Sequence, residues 1–234
     1  MKRMITAAEA AAMIPNGAII MVGGFMGCGS SHAIIDELIK TDKGNFTVIC
    51  NDGSNPGGPL GQDNYGVARL IHARKVKKFI TSHIGMNPEA GKLMTSGEME
   101  VSLVPQGSLA EMIRAGGSGL GGVLTPTGVG TMVEEMEHVL GKISLQGRKY
   151  LIEMPLKADW AILGCHTADE KGNSVYKGTQ RNMSPLMALA AENVIMEAEN
   201  IVPVGAIEPE NVHTSGIFVD YLVDSGEFIR AHTK

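Results

Sequence analysis

"NGAIIMVGGFMGCGSS", Asn16 to Ser31, sets five apolar residues against a cluster of four glycines and then opens a helical pattern. A strand that ends in a bare-backbone turn and passes into a helix begins a βα unit, so the stretch points to an α/β fold. Missing side chains at such a turn serve either the close approach of a ligand or the close packing of helix on sheet. Amides of the turn and of the first helical residues would converge on one spot, which favours a phosphate, a carboxylate or a carbonyl oxygen. Taken alone, the turn leaves both uses open.

The neighbouring sequence repeats the rhythm. Helical "SHAIIDELIKT" places Ala33, Ile34, Leu38 and Ile39 on or near one face, with Ser30 or Ser31 as N-cap. Strand-like "NFTVICN", the turn-rich loop "DGSNPGGPLGQDN", helical "YGVARLIHAR" and strand-like "VKKFITSHIG" follow, then helical "NPEAGKLMTSG", the strand "EVSLVPQG" and helical "SLAEMIRAGG", whose Ser108 and Glu111 have capping-box spacing. "ISLQGRKYLIEM" differs: apolar positions alternate on either side of Gln146-Gly147, as in an antiparallel hairpin at an edge or in a small subsidiary sheet. "DWAILGC", "SPLMALAAEN", "NVIMEAEN" and "IVPVGAI" resume the α/β pattern, and the polar "IRAHTK" end is expected to fray. The reading is an open, mainly parallel sheet flanked by helices, with a small antiparallel hairpin. Without a linker, a low-complexity tract or an internal repeat, residues 1–234 form a single domain.

Composition excludes several classes of function. With 44% hydrophobic and 19% charged residues, a chain of 234 residues buries a sizeable core. A net charge of −5, with no run of Lys or Arg, gives no field for nucleic acid. No apolar run is long enough to cross a bilayer. At the N-terminus, Glu9 interrupts the alanines of "MKRMITAAEAAAMIPNG", and Thr6 to Glu9 has the capping-box spacing of a helix rather than the pattern of a signal peptide. A cytoplasmic protein is expected. Cys28, Cys50 and Cys165 are odd in number and widely spaced, so they read as small buried residues, not as a disulfide or zinc framework. His32 is the one basic residue near Cys28, too little for a nucleophile pair. None of the seven histidines has metal-ligand spacing, and no metal is expected.

A second glycine cluster, "AGGSGLGG", contains G-x-G-x-x-G at Gly117, Gly119 and Gly122. A dinucleotide fingerprint follows a strand and opens a helix, whereas this one follows a helix, so it is rejected. Neither cluster carries the Lys-Ser/Thr end of a P-loop.

"NG", two residues, three apolar residues, "GGF", three more residues and "G" resemble the signature of family I coenzyme A transferases. The family has proline two positions further on; here Ser31 stands in that place. "LVPQGSLAEMIRAGGSGLGGVLTPTGVGT", "YKGTQRNMSPLMALAAENVIMEAENIVPVG" and "HTSGIFVDYLV" are similar to stretches of the family's alpha subunit, so the likeness spans nearly the whole chain. It is nearest to the alpha subunit of the butyrate or acetate:acetoacetate CoA-transferases (3-oxoacid CoA-transferases).

The resemblance implies transfer of CoA between a short-chain acyl-CoA and a carboxylic acid (acetoacetate, butyrate or acetate) by double displacement. A glutamate carboxylate attacks the acyl-CoA, and the enzyme is held as a glutamyl-CoA thioester until a second acid accepts the CoA. In the family that glutamate lies in the beta subunit, in a Ser-Glu-Asn-Gly type motif. "SGEME" around Glu98 and "AENV" around Glu192 lack its order, so an α2β2 assembly with a beta subunit is implied. CoA enters as substrate, with no permanently bound cofactor. Gln106, in "VPQG", corresponds to a glutamine implicated in the oxyanion hole; by itself a PQG glutamine reads as a surface turn. Asn51, in "ICNDG", matches an asparagine near the CoA thiol arm, with an Asx turn as its plainer use. Gly23, Gly24, Phe25, Met26, Gly27, Cys28 and Gly29 stand where the resemblance places CoA contact. Two other readings are a non-catalytic acyl-CoA or phosphate-ligand binding module of the same fold, and a sugar-phosphate isomerase or deaminase, for which no clustered acid/base pair is found.

Overall fold

In the computed structural model, which describes residues 1–55, 57 and 64–226, the described residues form twelve strands and six α-helices, which alternate as far as α5. Part of the turn-rich loop at 52–64 and the "IRAHTK" end lie outside the described residues. Strand β1 (Arg3–Met4) precedes α1 (Ala7–Met13), which opens on the expected capping box: Glu9 N donates to Thr6 Oγ1 at 3.1 Å and Thr6 N to Glu9 Oε2 at 2.8 Å. Next come β2 (Ile19–Val22), α2 (His32–Lys40), β3 (Phe46–Cys50), α3 (Ala68–His72), β4 (Val76–Thr81), α4 (Pro88–Ser96), β5 (Glu100–Leu103) and α5 (Gln106–Gly117).

An insertion of β6 (Val123–Thr125), β7 (Val139–Leu145) and β8 (Arg148–Glu153) separates α5 from β9 (Ala158–Asp169). The remainder is β10 (Ser174–Val175), α6 (Ser184–Ala190), β11 (Ala191–Val202) and β12 (Tyr221–Asp224). "NVIMEAEN" and the first two residues of "IVPVGAI" form one strand, β11, which runs until Pro203 removes a ladder donor.

The main sheet has the order β1-β12-β11-β9-β2-β3-β4-β5, with every pair parallel, and β10 is added antiparallel to β9. Side chains alternate across it. From β2, Ile20 and Val22 enter one core with Ile34 and Leu38 of α2 and Phe79 of β4. Met21 enters the other core with Leu109 and Met112 of α5 and Met187 of α6. Helices therefore cover both faces, as a fully parallel sheet requires.

The expected hairpin is β7 and β8, in a separate three-stranded antiparallel sheet of order β6-β8-β7. Gln146 and Gly147 both have positive φ (50° and 76°), which matches a type I′ turn. The second glycine cluster closes α5 and leads to β6. The capping box expected at Ser108 does not form, because α5 begins earlier, with Pro105 as N-cap, and Ser108 lies inside the helix.

From β2 the chain builds β3, β4 and β5 to one side, and β9, β11 and β12 complete the other. This places a topological switch point between β2 and β9, where parallel α/β sheets open a crevice at their carboxyl ends.

Candidate functional site

The glycine turn sits at that crevice. It is pinned on both sides: Gly23 N donates to Ile162 O at 3.0 Å, and Gly164 N of β9 donates to Gly29 O at 2.9 Å. Its tip is closed by Phe25 and Cys28, whose backbone groups exchange two 2.9 Å bonds.

The glycines answer to packing. Gly29 (φ +83°) faces the backbone of Gln180, and a Cβ there would lie 2.7 Å from Gln180 Cα and O. Gly27 (φ +83°) is covered by the Tyr65 ring. Protein atoms also fill the Cβ positions of Gly23 and Gly24. What the turn offers to solvent is Phe25 and Cys28, both exposed, with half-buried Met26 in the left-handed region (φ 50°).

One sequence expectation fails here for a physical reason. Cys28 is exposed because it stands at the tip of the turn; Cys50 and Cys165 are buried, and burial pushes both thiols up to about 12. Four amides of the turn are engaged by the protein itself. Phe25, Met26, Cys28 and Ser30 all donate to protein acceptors. At α2, Ser31 holds the N-cap position without a side-chain cap bond, while Ser30 Oγ turns back to Gly23 O at 3.0 Å.

The acid at that helix start is Glu197 of β11. Its two oxygens accept from Ala33 N (3.1 Å) and Ile34 N (3.0 Å), where the helix dipole favours negative charge. Burial outweighs these bonds and pushes its carboxyl up to about 7. One signal in the sequence could have found it: a lone acid inside the apolar run "VIMEA".

The other two predicted residues come together. Asn51 follows β3 and is buried; Gln106 is the first residue of α5, just past β5, and is exposed. Gln106 Nε2 donates to Asn51 Oδ1 at 2.9 Å, and Ser82, past the end of β4, donates its hydroxyl to Asn51 O at 2.6 Å. The residue that sequence reasoning missed is Asp52. Its buried carboxylate accepts from Asn51 Nδ2 (2.8 Å), Ser54 N (2.8 Å) and Met26 N (2.9 Å). A continuous hydrogen-bonded chain therefore joins the glycine turn, Asp52, Asn51 and Gln106 along the carboxyl ends of β2, β3 and β5. In sequence Asp52 is masked by its setting, since "NDG" is also ordinary turn composition.

His32, the basic residue nearest Cys28 in sequence, directs Nε2 to Gly27 O at 3.0 Å and lies against the Tyr65 ring, with centroids 4.4 Å apart.

The family model described as Coenzyme A transferase matches residues 4–225. Among curated relatives, the acetoacetyl-CoA:acetate/butyrate CoA transferase alpha subunit of Clostridium acetobutylicum is 47% identical over 208 residues, 89% of this chain and 91% of that protein. The acetate CoA-transferase alpha subunit of Escherichia coli K12 is 42% identical over 225 residues, 96% and 98% of the two chains. The fold is similar to that of the acyl-CoA transferase of Escherichia coli O157:H7 in its thioester complex with CoA (TM-score 0.80, 21% identity, 95% of this chain). This chain spans 47% of that protein's length. It is also similar to glutaconate coenzyme A-transferase from Acidaminococcus fermentans (TM-score 0.78, 19% identity, 95% of this chain and 75% of that one). With a family model covering nearly its whole length and close relatives over nine-tenths of theirs, the chain belongs to the coenzyme A transferase family.

Proposed function

We propose that this chain is the alpha subunit of a heteromeric CoA-transferase that exchanges CoA between short-chain acyl-CoA and acetoacetate, butyrate or acetate. The observation that carries the reading is the joined row of Met26, Asp52, Asn51 and Gln106 at the switch-point edge of the sheet, in a chain 47% identical to an alpha subunit of that specificity. A beta subunit supplies the nucleophilic glutamate, in an α2β2 assembly in which residues 1–234 act as one domain, in the cytoplasm.

The reaction then divides between two chains. The partner's carboxylate oxygen adds to the acyl-CoA carbonyl, and the resulting oxyanion collapses by expelling CoA thiolate to leave an anhydride. The thiolate adds to the glutamyl carbonyl of that anhydride, releasing the first acid and leaving the enzyme's CoA thioester. The second acid reverses the two steps. Each addition puts charge on a carbonyl oxygen, and the Gln106 amide donates to it without titrating. Asn51 and the exposed side chains of the turn at 23–29 line the approach of the pantetheine arm.

Co-expression with the beta subunit tests this. The purified pair should exchange CoA between butyryl-CoA and acetoacetate with ping-pong kinetics, and the isolated chain should show no turnover. Sustained turnover by the isolated chain overturns the division of labour.

A further inference from the structure

We propose that Asp52 is a positioning residue that sets which way round the Gln106 amide stands, through Asn51, while it holds the glycine turn by the Met26 amide. The inference rests on the oxyanion role given above to Gln106.

Both oxygens of the Asp52 carboxylate serve as acceptors, toward Ser54 N through Oδ1 and toward Met26 N and Asn51 through Oδ2. A carboxylate in that role has no hydrogen to give, so the NH₂ end of Asn51 must face it. The Asn51 carbonyl end then faces Gln106, and Gln106 must answer with its own NH₂, as the 2.9 Å contact from Nε2 to Oδ1 records. One Nε2 hydrogen is spent on Asn51, and the second is the donor for the substrate oxygen.

An amide side chain turned end for end costs little by shape alone, since its O and N are nearly the same size. A Gln106 amide reversed in this way would aim a carbonyl oxygen, a repulsive group, at the place where negative charge develops. Asp52 excludes that state from two residues away. Because Asp52 and Asn51 are both buried, bulk water does not compete for the bond between them, from which the order starts. The same carboxylate holds Met26 at φ 50°, so the exposed side of the turn and the Gln106 amide share one anchor.

Asp52→Asn leaves the shape and removes the direction. With an amide at position 52 at least one of three donors must lose its acceptor, and the row of three side-chain amides ending at Gln106 can run either way. The effect belongs to the transition state, so it appears in kcat rather than in KM.

The test is a double-mutant cycle in the co-expressed complex with its beta subunit, using butyryl-CoA and acetoacetate. Asp52→Asn should lower kcat by about 10-fold, short of the roughly 100–1000-fold for losing the donor outright in Gln106→Ala, with KM for acetoacetate changed less than about twofold. In a Gln106→Ala background the same Asp52 change should cost less than about twofold. Equal losses in both backgrounds would mean that Asp52 acts by general structural support, and the inference fails while the oxyanion role stands. An unaltered kcat in Gln106→Ala removes the oxyanion role and the inference with it. If Asp52→Asn does not assemble, Asp52→Ser carries the same cycle, because a hydroxyl at 52 can donate or accept and so no longer fixes which end of Asn51 faces it.

Discussion

At the scale of single residues, the glycine turn carries two demands that different positions meet. Gly29 is needed by its neighbours: its positive φ and the Gln180 backbone at 2.7 Å leave no room for a methyl group. Gly29→Ala should therefore destabilise the chain by about 1 kcal/mol or more, whatever the ligand does. Phe25, 39% exposed at the tip of the turn, is the position that can meet CoA at little structural cost. Phe25→Ala should raise KM for the acyl-CoA severalfold while the melting temperature of the assembled pair stays within about 2 °C, since exposed substitutions change stability little. Thermal melts beside steady-state kinetics check both. A normal KM in Phe25→Ala would take the tip of the turn out of CoA binding. Glycine substitutions cannot decide the question, because they disturb packing first.

At the scale of elements, most of what carries a regular pattern was legible in the sequence. The strand, turn and helix of residues 16–40 are local, and so are the hairpin about Gln146-Gly147 and the capping box at Thr6, because each is built by residues within a few positions of one another. What escaped is held by distant partners. Ser31 has the composition of a cap, yet Glu197, 164 positions from one of its two amide donors, satisfies the start of α2. Asp52 does make the turn contact that its sequence suggests, to Ser54 N two residues on; the partner out of local reach is Met26, past the end of β2.

Glu197 also gives the fold a pH dependence. Its folded value, about 7, lies above the ordinary 4.5, so the folded state holds a proton that the unfolded chain releases. The stabilisation is fully present below about pH 4.5 and is lost as pH rises to about 7. Glu197→Gln should flatten this decline, as read from denaturant unfolding across that window. An identical slope in the variant would mean that Glu197 is ionised throughout.

At the scale of the whole molecule, the proposed function makes the sheet one half of an active centre. Its carboxyl edge presents the amide of Gln106, held by Asn51, together with an exposed turn, but the family's glutamate motif is not in the chain. Such a half-site has a purpose if a second chain closes over the same edge, as the alpha-subunit names of the relatives suggest. The location of the covalent intermediate is the direct test. The co-purified complex would be loaded with butyryl-CoA in the absence of acceptor acid, trapped with borohydride, and each chain weighed by intact-protein mass spectrometry. We predict reduction of a glutamyl thioester on the partner alone, with this chain at its unmodified mass. A thioester on a glutamate of this chain would contradict the division of the active centre between two subunits.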